Sequence, residues 1–112
     1  MTKVEYGIFS GKDGWNVSSS NVLYKKNDIV TINLAIQAAN PLITGVYSMG
    51  TLPEGFRPLK NIVFAGVAHY QGGNRFSVSI EIYTNGNVNV NLGSGNLSHT
   101  IDWIGCAGSY IV

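Results

Sequence analysis

Along much of this chain apolar and polar residues alternate, the period of two that puts successive side chains on opposite faces of a β-strand. From Arg75 to Tyr83 the alternation is clearest: Phe76, Val78, Ile80 and Ile82 fall on one face, and Ser77, Ser79, Glu81 and Tyr83 on the other. Asn85-Gly86 follows, a pair suited to the two positive-φ positions of a type I′ turn, and Asn87 to Leu92 returns with Val88, Val90 and Leu92 inward. A second hairpin is expected at Lys26-Asn27-Asp28, between Asn21 to Tyr24 and the long run Ile29 to Ala38. In that run Val30, Ile32, Leu34 and Ile36 share a face while Ile29 and Ala35 lie on the other, which predicts cover on both sides by a second sheet or another subunit. Asn61 to Tyr70 reads similarly, with Ile62, Phe64 and Gly66 opposite Val63, Ala65 and Val67. Ser109 to Val112 ends the sequence on an apolar strand expected to be tucked into the sheet.

Leu52 to Pro58 carries two prolines and reads as a crossing loop, because proline cannot donate into a central ladder. Asn91 to Thr100 reads as a second polar loop and, as a loop on a rigid scaffold, as the best place for function. Helical periodicity, repeats and linkers are not seen. The pattern predicts an all-β fold, a compact antiparallel barrel or sandwich with no significant helix.

Composition narrows the functional classes. At 112 residues the chain has room for one core and none for a separate cofactor-binding half. A domain this small folds with a thin margin, which contacts between subunits would widen. Charged residues make up 12% of the sequence and β-branched ones are abundant, the reverse of a disordered chain. The net charge is +1 and the basic residues are scattered apart from Lys25-Lys26, which argues against nucleic acid as a partner, since neutralising phosphates takes clustered Lys and Arg. No apolar run is long enough to span a bilayer, and Met1 to Glu5 lacks the regions of a signal peptide, so neither membrane insertion nor a leader is expected. The single cysteine, Cys106, excludes an intrachain disulfide and a thiolate cluster, and is expected to be an inert, partly buried small residue.

Catalytic patterns are thin. His69 and His99 are the only histidines, and neither stands beside a nucleophile in a recognisable motif, although Ser98 or Ser109 with His69 and Asp102 would make a triad if the fold assembled them. Glu81 with Asp102 is the candidate carboxylate pair, each close to an aromatic residue, and the two would serve a glycosidase only across a cleft. His99 and Asp102 share a loop, but two ligands make a poor metal site and no metal-binding motif is present. The expectation is a binding domain rather than an enzyme, with no metal and no cofactor.

The order of several short segments carries a resemblance. Leu23-Tyr24-Lys25-Lys26-Asn27-Asp28-Ile29-Val30, then Arg57-Pro58, Val67-Ala68-His69-Tyr70-Gln71-Gly72, Ile80-Glu81-Ile82 before Asn85-Gly86, and Gly108-Ser109-Tyr110 together resemble the head domain of lactococcal siphophage receptor-binding proteins. The match runs from Trp15 to Val112, which makes 15–112 the head and 1–14 a short extension or remnant of a stem. The resemblance implies a homotrimer in the virion, at a phage tail tip or baseplate among other tail proteins, that binds a saccharide of a Gram-positive host's envelope. Two other readings stay open: a structural trimeric virion module without receptor binding, and a carbohydrate-binding module of a secreted bacterial protein.

For the site, the resemblance points to alternate positions before the Asn-Gly turn, where family heads often carry His, Asp and Asn. Here these positions read Ser79, Glu81 and Tyr83, and the family's tryptophan after the turn is Val90 or Asn91. Glu81 can accept sugar hydroxyls and Tyr83 can stack or donate. Trp103 is the natural replacement for the missing indole, with Asp102 and His99 holding hydroxyls and His69 at the rim. Trp15 is expected to be a lid over the barrel end.

Overall fold

The alternating runs fold as strands because each can bury one row of aliphatic side chains and leave the other row to water or a neighbour. The computed structural model of the chain describes residues 3–38, 45–70, 75–93 and 101–112. Among the described residues there are ten strands and no helix: β1 Val4–Tyr6, β2 Ser10–Gly11, β3 Trp15–Val17, β4 Val22–Lys26, β5 Ile29–Ala38, β6 Val46–Thr51, β7 Ile62–Tyr70, β8 Arg75–Ile82, β9 Asn87–Asn91 and β10 Ile101–Ile111. They form one curled antiparallel sheet, a half-barrel, in the order β1-β4-β5-β10-β7-β8-β9-β6-β2, with β3 beside the far end of β5. The all-β expectation holds.

The two outermost strands in that order are neighbours in sequence. Only Gly7, Ile8 and Phe9 separate β1 from β2, so the chain itself bridges the two sheet edges. Phe9 turns inward, and its ring with the Ser10 carbonyl fills the space a side chain on Gly50 would need. Both β1 and β2 lie within 1–14, the stretch read as an extension, and both are hydrogen-bonded into the sheet, β1 to β4 and β2 to β6.

The concave face holds the core. Val30, Ile32, Leu34 and Ile36 from β5, Ile80 and Ile82 from β8, Val88 and Val90 from β9, and Ile101 and Ile104 from β10 are each at most 2% exposed. Burial of such side chains contributes roughly 1.5–3 kcal/mol apiece before conformational entropy is charged against it. The convex face is different. Ile29, Val63 and Ile111 remain 46%, 64% and 63% exposed while Ala35 is 4% exposed, so among the described residues the two-sided cover expected for β5 and β7 is only partial. Trp15 sits on β3 opposite Ala38 and packs, partly buried, against the core.

The turns correct one expectation. The two consecutive positive-φ residues are Asn27 and Asp28, between the paired Lys26 and Ile29, so the two-residue hairpin is the β4-β5 connection. At Asn85-Gly86 only Gly86 has positive φ, at 91°. The Gly86 N–H donates to the Tyr83 carbonyl at 2.8 Å and the Tyr83 N–H to the Asn87 carbonyl at 2.9 Å, which is a longer loop with a glycine bulge and not a type I′ turn.

A second correction concerns the C-terminal run. The sequence pattern supports a strand at 109–112, whereas β10 occupies 101–111 and lies in the middle of the sheet, between β5 and β7. Gly105 and Gly108 interrupt the apolar pattern and conceal it. Gly108 is there because a Cβ would stand 2.8 Å from the Phe64 ring. Val112 follows the strand and donates its N–H to Asp28. The crossing loop, residues 52–61, is secured by the Tyr110 hydroxyl, which donates to the Phe56 carbonyl at 2.5 Å, and by Lys25 Nζ, which donates to the Gly55 carbonyl at 2.9 Å.

Candidate ligand-binding site

Directly opposed residues in an antiparallel sheet place their side chains on the same face. Arg75 lies opposite His69, His69 opposite Trp103, Trp103 opposite Gln37, and Gln37 opposite Asn16. These five side chains therefore make one transverse row over β8, β7, β10, β5 and β3, roughly 19 Å long at the usual strand spacing. With Asp102, Val17 and Ser18 they line a concavity of about 520 Å³ on the convex face.

Asp102 reaches this face through a β-bulge. Ile101 opposes Tyr70 and Trp103 opposes His69, which leaves Asp102 as one extra residue on β10. Ile101 and Ile104 both turn into the core, and Asp102 and Trp103 both turn outward. The Asp102 carboxylate comes within 2.8 Å of His69 Nδ1, with the two side chains 31% and 26% exposed. An ionised carboxylate only accepts, so Nδ1 carries the shared proton and the ring is fixed with Nε2 as its second polar atom. The result is an indole face, a guanidinium, an oriented imidazole, a carboxylate and two side-chain amides within one shallow depression. Such a set can hold a polyhydroxylated ligand by stacking on one side and hydrogen bonds around the rim.

The other expected residues are not part of this group. Glu81 and Tyr83 lie on the same convex face but toward the opposite strand ends: the Tyr83 hydroxyl donates to Glu81 Oε1 at 3.2 Å, and Glu81 opposes Val63 and Asn89. Desolvation first, and then the charge of Glu81, hold the Tyr83 phenol above its ordinary pKa. Val63 is six positions along β7 from His69, about 20 Å of extended chain, so Glu81 and Asp102 are too far apart to work as a glycosidase pair. Ser109 is equally far along β10 from Trp103 and is hydrogen-bonded to Thr31, so it completes no triad with His69 and Asp102. His99 and Ser98 lie outside the described residues, as does most of the polar loop expected to carry function. Among the described residues no group of three His, Cys, Asp or Glu gathers that could hold a metal ion. A second concavity of about 540 Å³ is walled by Val63, Ala65, Ser77, Ser79 and Asn91, with no ionisable side chain among the described residues that line it.

No protein-family model matches the sequence, and no curated protein matches it. Among solved structures, the crystal structure of the head domain of phage bIL170, from work on the receptor-binding domains of lactococcal phages, is similar to this chain with a TM-score of 0.72. It covers 98% of this chain and 99% of that one, at 19% sequence identity. The fold is that of a lactococcal phage head domain. Of the residues expected to share a site on that fold, His69, Asp102 and Trp103 come together in the structure, while Glu81 and Tyr83 lie apart. The structure adds Arg75, Gln37, Asn16 and Ser18. Arg75 had a signal, as the first residue of the clearest alternating run, and that strand pairs with β7 so that Arg75 opposes His69. Asn16 and Gln37 had none, because no pattern in the sequence announces that β3 pairs with the end of β5.

Proposed function

We propose that this chain is a receptor-binding head domain, carried as a homotrimer on a phage tail tip or baseplate, and that it attaches the virion to a saccharide of a Gram-positive host's envelope. The observation that carries the reading is the likeness to a phage head domain over nearly the full length of both chains. The row from Arg75 to Asn16 gives that reading a place for the ligand: the indole of Trp103 takes an apolar sugar face, while Asp102, His69, Arg75 and Gln37 take hydroxyls. A purely structural virion module has no use for an open groove at Trp103, and the separation of the carboxylates leaves binding as the better account than hydrolysis.

Attachment through such a site draws on repetition. A single shallow sugar site has a Kd of roughly millimolar to micromolar, and several sites on one virion raise the effective concentration enough for firm adhesion. The test is binding of the intact protein to cell walls of lactococcal and other Gram-positive strains, with its mass measured by light scattering. Three copies per particle and loss of binding in Trp103→Ala and Asp102→Asn are expected, with Glu81→Ala close to wild type. Loss in Glu81→Ala alone would move the site to the Tyr83 end of the sheet, and no wall binding by an intact trimer would end the saccharide reading.

A further inference from the structure

Side chains on a sheet normally stand perpendicular to it. Trp103 does not. A Cβ built on Gly105, the next outward-facing residue of β10, would lie 2.5 Å from Cη2 and 2.9 Å from Cζ2 of the Trp103 indole. The benzo edge of the ring therefore occupies the volume a side chain at 105 would fill. The indole leans along its own strand over Gly105 and also lines the concavity. The ring accounts for Gly105 being buried while Trp103 itself stays 39% exposed.

We infer that Gly105 is a positioning residue for ligand binding: by leaving the space above its Cα empty it lays Trp103 flat, and so provides a floor on which a pyranose ring docks by its C–H face. The inference rests on the saccharide reading above and deepens it, because it specifies how the sugar is presented. An upright indole would offer an edge in the same place. A flat one offers a platform about as wide as a six-membered ring, bounded on one side by His69 and on the other by Gln37, which lie opposite Trp103 on the flanking strands. The ligand is then a sugar with an unbroken C–H face, whose equatorial hydroxyls point outward to those two side chains. Gly105 has no positive φ, so its backbone does not require glycine. The ring above it does, together with the Leu34 carbonyl 3.1 Å from the Cβ position.

The experiment has two arms. In the first, NMR of the wild-type protein reads the Gly105 Hα shifts, which a reclining indole moves upfield by its ring current and which return to ordinary values in Trp103→Leu. Unshifted Hα resonances in the wild type overturn the inference without any variant at 105 having to fold. In the second, binding to purified lactococcal cell-wall polysaccharide is measured for Gly105→Ala, Trp103→Ala and the double variant. Gly105→Ala is expected to weaken binding about tenfold, the scale of one aromatic stacking contact, and the double variant no more than Trp103→Ala. Additive losses show that Gly105 acts independently of the indole, and wild-type binding by Gly105→Ala shows that the flat ring is not needed; either result sinks the inference and leaves the receptor reading standing. Ring-current shifts in a protein that binds no wall polysaccharide would instead remove the saccharide reading, and the docking role of the platform with it.

Discussion

Tyr110 is 7% exposed, and its hydroxyl is the one polar atom that links the central strand to the carbonyl of Phe56 in the crossing loop. Tyr110→Phe keeps the ring and leaves that carbonyl without its donor, which should cost about 1–3 kcal/mol in urea unfolding with an unchanged m-value. Burial holds the Tyr110 phenol above its ordinary pKa, and burial pushes the Cys106 thiol up to about 12, against a smaller opposing effect of a backbone hydrogen bond with Leu34. A raised folded-state pKa favours the native protein fully below the unfolded pKa and is lost as pH climbs to the folded value. For Cys106 that window runs from about pH 9 to about pH 12, and its contribution should decline by roughly 1.4 kcal/mol per pH unit within it. Urea titrations at about pH 8 and about pH 10, below most of the Tyr110 window, should show the decline, and Cys106→Ala should remove most of it. The inert character of Cys106 was legible from its Gly105 and Ala107 neighbours. The partnership of His69 with Asp102 entered only as part of a possible triad, because it joins residues 33 apart through a contact that the strand register creates.

Strands set those registers, and most of them were readable wherever alternation is unbroken. The β8-β9 pair, with Ile80 and Ile82 facing Val90 and Val88, follows directly from it. What misleads is any place where the period slips. Ile101 and Ile104 are three apart and both buried, which strict alternation forbids and a bulge permits. Deleting Asp102 should therefore restore plain alternation: the protein is expected to stay folded by circular dichroism, keep Trp103 outward, and lose the partner of His69. A collapse of the fold on this deletion would show that the bulge is structural rather than a device for aiming a side chain. The turns offer a matched pair. Gly86 and Gly93 have φ values of 91° and 85°, but a Cβ on Gly86 would meet Arg57 Nε at 2.6 Å and the Leu52 carbonyl at 2.8 Å, while at Gly93 nothing among the described residues lies within 4 Å. Gly93→Ala should cost about 1 kcal/mol for its backbone conformation alone, and Gly86→Ala clearly more, as thermal melts of the two variants would show. The Asn-Gly motif at 85–86 announced a turn correctly, but dipeptide identity did not decide the turn type. Positive φ went instead to Asn27 and Asp28, whose side chains tolerate it.

At the scale of the molecule, the all-β architecture was legible from alternation and turn residues, whereas strand order was not: nothing local says that β10 lies between β5 and β7. That placement has a consequence in time. Until residues 101–111 exist, β5 and β7 each present a bare row of backbone donors and acceptors along the middle of the future sheet, so the two halves of the half-barrel have no seam. Every pairing that joins them, from Trp103 with Gln37 to Ile111 with Ile29, links distant parts of the sequence. A nascent chain on the ribosome thus cannot settle before β10 emerges, and refolding from urea should be slow, on the order of milliseconds to seconds, as for other sheets dominated by long-range pairs. A chain stopped at residue 100 should fail to fold and should aggregate through those open edges, where the same protein completed by a separate peptide spanning 101–112 would recover a cooperative melt.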